Sequence, residues 1–140
     1  MAQLNPYISF RDNAREAMSF YQSVFGGELN IMRFADVPGM AEDPAEAELV
    51  MHASLTLPDG STLMAADTPK RMEYQAPAGI QLSLSGPAED AEQITGYWNA
   101  LSEGASIQQP LTPAPWGDTF GALVDRYGVS WMFDFGSAGE

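Results

Sequence analysis

Residues 5–27 read NPYISFRDNAREAMSFYQSVFGG. Asn5, Tyr7 and Ser9 fall on one face and Pro6, Ile8 and Phe10 on the other, the two-residue period of a strand, which we extend over 4–10. From Ala14 the period changes. Ala17, Phe20, Tyr21, Val24 and Phe25 form one apolar stripe at helical spacing, predicting a helix over 14–25. Asp12-Asn13 stand where a helix cap is expected, and Gly26-Gly27 stop the helix.

Outward from this stretch, 28–35 reads as a strand and 36–47, with Pro38, Gly39, Pro44 and several acids, as a mobile loop. Residues 48–57 and 61–66 alternate as strands around a Pro58-Asp59-Gly60 turn. Residues 68–79 form a second loop with the basic pair Lys70-Arg71. The order then begins again: a strand over 80–85, a helix over 88–103 closed by Gly104, and a short strand over 106–109. A Pro-rich loop over 111–119 follows, then a hairpin of 120–125 and 129–135 around Arg126-Tyr127-Gly128, and a frayed tail. Residues recur as well. Phe20-Tyr21 and Gly27 are matched 77 positions on by Tyr97-Trp98 and Gly104. Gly60 and Met64 are matched 68 positions on by Gly128 and Met132. Both halves read βαβββ. The expected fold is α+β: two tandem βαβββ modules forming a curved mixed sheet around a cleft, helices outside. One domain spans 1–140, with module one about 1–67, a linker over 68–78 and module two about 79–136.

Composition narrows the function. The 140 residues hold 6 Lys+Arg against 19 Asp+Glu, a net charge of −13, which repels phosphate backbones and anionic lipid; neither nucleic acid nor membrane is an expected partner. No cysteine is present, which excludes thiolate metal sites, disulfides and cysteine nucleophiles. No apolar run approaches a membrane span. The first residues have neither the basic nor the apolar region of a secretory signal, so a cytoplasmic protein is expected.

A family resemblance rests on Asn5-Pro6-Tyr7 with Phe10, Ala14-Arg15-Glu16-Ala17 running to Phe20-Tyr21, and Phe25-Gly26. It continues through His52, Leu63-Met64-Ala65-Ala66-Asp67, Trp116-Gly117, Phe120-Gly121 and Asp125-Arg126-Tyr127-Gly128 with Trp131. In these the chain resembles the vicinal oxygen chelate superfamily of glyoxalase I, bleomycin-resistance proteins and extradiol dioxygenases, and within it the PhnB-like branch. Members of that branch are often described as demethylubiquinone methyltransferases, yet no glycine-rich strand-to-helix turn is present to cradle a nucleoside cofactor. The resemblance implies a homodimer and, in the superfamily's enzymes, a divalent metal held in the cleft by His, Gln or Glu from the first and last strands of each repeat. Those positions fall here at Asn5 or Tyr7, at Gln81, and at Met64 and Met132. Thioethers are poor ligands for the hard and borderline divalent metals concerned. No cofactor is therefore expected, with a divalent metal as the alternative.

Met64 and Met132 either fill the cleft floor as packing or make an adaptable apolar surface for a ligand. His52, the only histidine, is the candidate acid or base, or else a hydrogen-bonded structural residue. It is expected on one strand face with Val50, Ser54 and Thr56. Gln81, Ser83 and Ser85 share a face, as do Ser130, Met132 and Asp134, so the cleft is expected to be mixed in polarity. Trp116 either stacks on a ligand or packs its loop, and Asp134 either binds a cationic group or is a solvated rim charge. Asp67 reads as a turn or cap residue and Asp125 with Arg126 as a turn stabiliser. The expected ligand cleft is Tyr7, His52, Met64, Gln81, Ser83, Trp116, Met132 and Asp134. The leading function is metal-free binding of a small organic molecule. The alternatives are a metal-dependent lyase, isomerase or dioxygenase, and a protein-interaction module using a dimer face or the acidic loop.

Overall fold

The computed structural model describes residues 2–41 and 43–136. The chain divides into two compact units, Met1–Ala76 and Pro77–Glu140. Each is a four-stranded mixed sheet with one α-helix, so the fold is α+β and each unit is βαβββ.

The first unit contains β1 (Tyr7–Phe10), α1 (Ala14–Phe25), β2 (Glu28–Arg33), β3 (Val50–Thr56) and β4 (Thr62–Asp67). The sheet order is β1-β4-β3-β2, with β1 parallel to β4 and the other pairs antiparallel. Helix α1 packs on β2, β3 and β4. Ala17, Met18, Tyr21 and Phe25 from the helix meet Ile8, Phe10, Ala53, Leu55, Leu63 and Ala65 in the core.

The helix start departs from expectation. Neither Asp12 nor Asn13 caps it; Asn13 occupies the cap position without a side-chain bond, and Asp12 turns the chain with φ +71°. The cap comes from Asp67, buried at 5% exposure, whose Oδ1 accepts Ala14 N–H at 2.9 Å while Oδ2 accepts Val50 N–H at 2.9 Å. One carboxylate thus ties the ends of β4, β3 and α1. The strand expected over 4–10 begins only at Tyr7, and the one over 28–35 gives way at Phe34 to a 3-10 turn.

The acidic loop, expected to be mobile, is tethered. Arg33 bonds Asp36 at 2.7 Å and Glu48 at 2.9 Å, Asp43 accepts Ala45 N–H, and Glu46 accepts Lys70 N–H at 2.8 Å. Arg33's hydrogen bonds hold the Asp36 carboxyl below its ordinary range. Glu42 lies outside the described residues.

The second unit contains β5 (Leu82–Gly86), α2 (Ala91–Leu101), β6 (Ser106–Pro113), β7 (Thr119–Val124) and β8 (Ser130–Phe135), in the order β5-β8-β7-β6. Trp98 of α2 meets Phe133 edge-on, with ring centroids 5.3 Å apart, over a core with Ile94, Leu101, Leu123 and Trp131. The helix expected over 88–103 opens instead as a 3-10 turn, Ala88–Asp90. The short strand over 106–109 extends to Pro113, through two prolines. An edge strand tolerates this, because one row of its N–H groups has no ladder partner to lose. The loop expected over 111–119 shrinks to 114–118. The tail residues 137–140 lie outside the described residues.

The repeat is visible atom by atom in the hairpins. Leu57 N–H bonds Ser61 O at 2.8 Å and Gly60 N–H bonds Leu57 O at 2.9 Å. Asp125 N–H bonds Val129 O at 2.8 Å and Gly128 N–H bonds Asp125 O at 2.9 Å. Gly60 and Gly128 have φ +93° and +86°, the left-handed region the turn requires. Asp125, buried, also accepts the Tyr127 and Val129 N–H groups and Trp131 Nε1–H, so it does stabilise the turn. Among the described residues, no helix is long and apolar enough to cross a membrane.

Candidate functional site

In the first unit, Ile8, Ala53, Leu55, Leu63 and Ala65 turn toward α1, so their sequence neighbours occupy the opposite sheet face. One row across that face is Tyr7–Met64–Ser54–Asn30. Beside it, Ser9 pairs with Ala66, and Met32 with His52. Tyr7 and Met32 are about half exposed; Met64, His52 and Ser54 are half-buried.

Tyr7 Oη lies 3.1 Å from His52 Nδ1, with ring centroids 5.6 Å apart. This pair joins the edge strand β1 to β3 across the intervening β4. Partial burial raises the Tyr7 phenol above its ordinary value. Val50 does not share the His52 face, as strict alternation had placed it. The register shifts between Met32 and Arg33, so that Met32 pairs with His52 and Arg33 with Val50, leaving Met51 as an extra residue. The bulge turns Val50 into the core at 1% exposure.

The equivalent row in the second unit is Ser83–Met132–Ala122–Gln109, and the next is Ser85–Asp134–Phe120. Ser83, opposite Met132, is therefore the counterpart of Tyr7, opposite Met64. Gln81 precedes β5 and corresponds in register to Asn5. Trp116, 62% exposed, sits in the 114–118 turn and meets Phe120 edge-on at 5.7 Å, which brings it to the strand position paired with Asp134.

The paired first- and last-strand positions thus present a phenol, a hydroxyl and two thioethers. That donor set does not fit a hard or borderline divalent cation, which takes imidazole and carboxylate. Among the described residues, no group of three or more His, Asp or Glu is placed to hold a metal.

Each unit also has a concavity. The first, about 220 Å³, is lined by Ser9, Phe34, Met51, Ala66, Thr68 and Met72 among others, with Arg71. The second lies between α2 and β6, at Trp98, Asn99, Ile107 and Leu111. None of the eight expected cleft residues lines either one. Sequence reasoning noticed Lys70-Arg71 as a basic pair but assigned it nothing, and passed over Arg11. Its guanidinium donates to Met72 O at 3.0 Å and lies 5.3 Å from the centre of the Tyr74 ring.

A family model described as 3-demethylubiquinone-9 3-methyltransferase matches residues 2–133. Among solved structures, the chain is similar to protein PA1353 from Pseudomonas aeruginosa, with 35% identity, TM-score 0.85, and coverage of 98% of this chain and 99% of that one. It is similar to a PhnB protein from Bacillus cereus, with 28% identity, TM-score 0.74, and coverage of 96% and 99%. At 14% identity it shares the fold of a glyoxylase/bleomycin resistance protein/dioxygenase domain from Frankia sp. EAN1pec, with TM-score 0.64 and coverage of 100% and 95%. Sharing that fold in its two βαβββ units, and matched by the family model over nearly its whole length, the chain belongs to the 3-demethylubiquinone-9 3-methyltransferase-like, PhnB-like family.

Proposed function

We propose that the protein binds a small organic molecule without the aid of a metal, using the sheet faces turned away from its helices. The observation that supports this most is the first-unit face itself. It sets a hydrogen-bonded Tyr7–His52 pair beside the flexible, polarisable Met32 and Met64, a mixed surface of the kind small-molecule sites use. Ser83, Met132, Asp134 and Trp116 supply a second mixed face, with Gln81 at its edge. The reading includes a cytoplasmic homodimer.

Methyl transfer from a nucleoside cofactor is not part of it. β1 runs into α1 through Arg11-Asp12-Asn13, and β5 into α2 through Pro87 and a 3-10 turn. Neither connection is the glycine-rich loop whose N–H groups receive a nucleotide's phosphates. The Tyr7–His52 bond favours one second reading, a metal-free enzyme in which His52 moves a proton, its ring oriented by Tyr7.

The test is a thermal-shift screen of small organic compounds in the presence of a chelator. Hits are mapped through the methyl resonances of 13C-methyl-methionine protein. Hits that move Met64 or Met132, and that weaken in His52→Ala or Met132→Ala, support the proposal. Hits that require added metal contradict it.

A further inference from the structure

The strap that follows β4 closes the concavity of the first unit. Thr68 N–H bonds Phe10 O at 2.7 Å, fixing where the strap leaves the sheet. Met72 N–H bonds Pro69 O at 2.9 Å, turning it back, and Lys70 N–H donates to Glu46 at 2.8 Å. Arg11 fastens the far end by donating to Met72 O and lying over Tyr74. Beneath the strap, Ser9 and Ala66 pair across β1 and β4 and form the floor. Phe34, Met51 and Met72 supply apolar walls.

Charge decides what such a hollow can take. Its lining holds two ionisable side chains, Asp67 and Arg71, and both are already engaged. Asp67 accepts the Ala14 and Val50 N–H groups, one on each oxygen. Arg71 has a partner of its own. An ion entering here would leave water without a free counter-charge, and an unpaired charge is the costliest group to desolvate. The net charge of −13 draws cations to the protein as a whole, but the one carboxylate in this lining is spent. The uncharged polar groups are the Ser9 and Thr68 hydroxyls, each able to donate or to accept.

We infer that this hollow binds a neutral, single-ring aromatic molecule carrying one hydroxyl, its ring against Phe34, Met51 and Met72 and its hydroxyl at Ser9 and Thr68. The inference rests on the proposed small-molecule function and names where the ligand sits and its class. The volume is compatible: about 220 Å³ exceeds the roughly 150 Å³ of an apolar cavity that holds one benzene, leaving room for a short substituent. Two methionines suit an aromatic guest, because the unbranched thioether closes around a ring and its sulfur is attracted to the ring edge. Phe34 adds an aromatic wall against which a second ring packs edge-on or offset.

The experiment compares benzyl alcohol, benzoate and benzamidine at equal concentration, three probes of one size and different charge. The readout is the Met51 and Met72 methyl resonances of 13C-methyl-methionine protein. Benzyl alcohol is expected to shift both and to bind at least about tenfold more tightly than either ion. Toluene, which lacks the hydroxyl, isolates the polar contact. Ser9→Ala combined with Thr68→Val is expected to weaken benzyl alcohol by about two- to tenfold and to leave toluene unchanged. Equal effects on the two compounds overturn the hydroxyl contact. Benzoate or benzamidine binding better than benzyl alcohol overturns the neutral class and leaves the small-molecule function standing. Benzyl alcohol that shifts Met32 and Met64 in place of Met51 and Met72 overturns the hollow as its site and likewise leaves that function standing. If no probe shifts any methionine while compounds from the thermal-shift screen do, the hollow is not the site; if those compounds fail as well, both readings fall.

Discussion

Asp67 accepts the backbone N–H of Ala14 at 2.9 Å, capping a helix 53 residues earlier in the chain. The same carboxylate holds Val50 N–H, so the cap is also the joint between β4 and β3. Removing it strands two donors in a site closed to water. Asp67→Ala is expected to lower stability by about 3 kcal/mol, since each orphaned buried group costs roughly 1–3 kcal/mol. Asp67→Asn, which keeps one acceptor oxygen, is expected to lose less. Urea unfolding measures both; a loss below about 1 kcal/mol for Asp67→Ala contradicts the joint.

Two glycines of the second unit should respond to alanine with opposite signs. A Cβ at Gly121 would stand 2.8 Å from the Trp98 ring and 3.0 Å from Leu111 Cα, and the latter is backbone that cannot step aside. Gly121→Ala is expected to destabilise by about 1–3 kcal/mol. Gly96, inside α2, has nothing within 4 Å of its Cβ position. Gly96→Ala is expected to stabilise by up to about 1 kcal/mol, the helix-propensity difference. Matching signs for the two would contradict the packing described.

Tyr7 links stability to alkaline pH. Its burial raises the phenol above its ordinary value of about 10, so the folded state keeps this proton longer than the unfolded chain does. The contribution is full below about pH 10 and is lost as pH rises through the folded value. In an absorbance titration of the five tyrosines, Tyr7→Phe should remove a component that titrates above the ordinary phenol range. Loss of an early component would reverse the sign.

Tyr7 Oη lies 3.1 Å from His52 Nδ1, and a phenol donating there would leave the imidazole proton on Nε2. Ring 15N shifts of His52 should report that tautomer in the native protein and a mixture in Tyr7→Phe. The same mixture in both would show that Tyr7 does not orient the ring.

Local periodicity made much of this fold legible. The bounds of α1 follow from its apolar stripe and Gly26-Gly27, and the offsets of 77 and 68 residues return as Tyr21 and Trp98 in two helix cores and as matching hairpins. What escaped depends on distance or on irregularity. The Tyr7–His52 pair spans 45 residues, and the Arg11–Met72 clasp 61. The bulge at Met51 breaks the alternation that placed Val50 beside His52. Asp12-Asn13 have the composition of a cap, but the supplied cap, Asp67, is a tertiary partner. Pro113 reads as loop because composition does not reveal which strand is an edge.

The central claim is that the site works without a metal. Its most direct test is elemental analysis of untagged protein, with thermal-shift measurements on adding Mn²⁺, Ni²⁺, Zn²⁺ or Fe²⁺. The account predicts substoichiometric metal and no upward shift. About one metal per chain, with a clear upward shift that is lost in His52→Ala or Gln81→Ala, would contradict it and make a metal-dependent lyase, isomerase or dioxygenase the better reading.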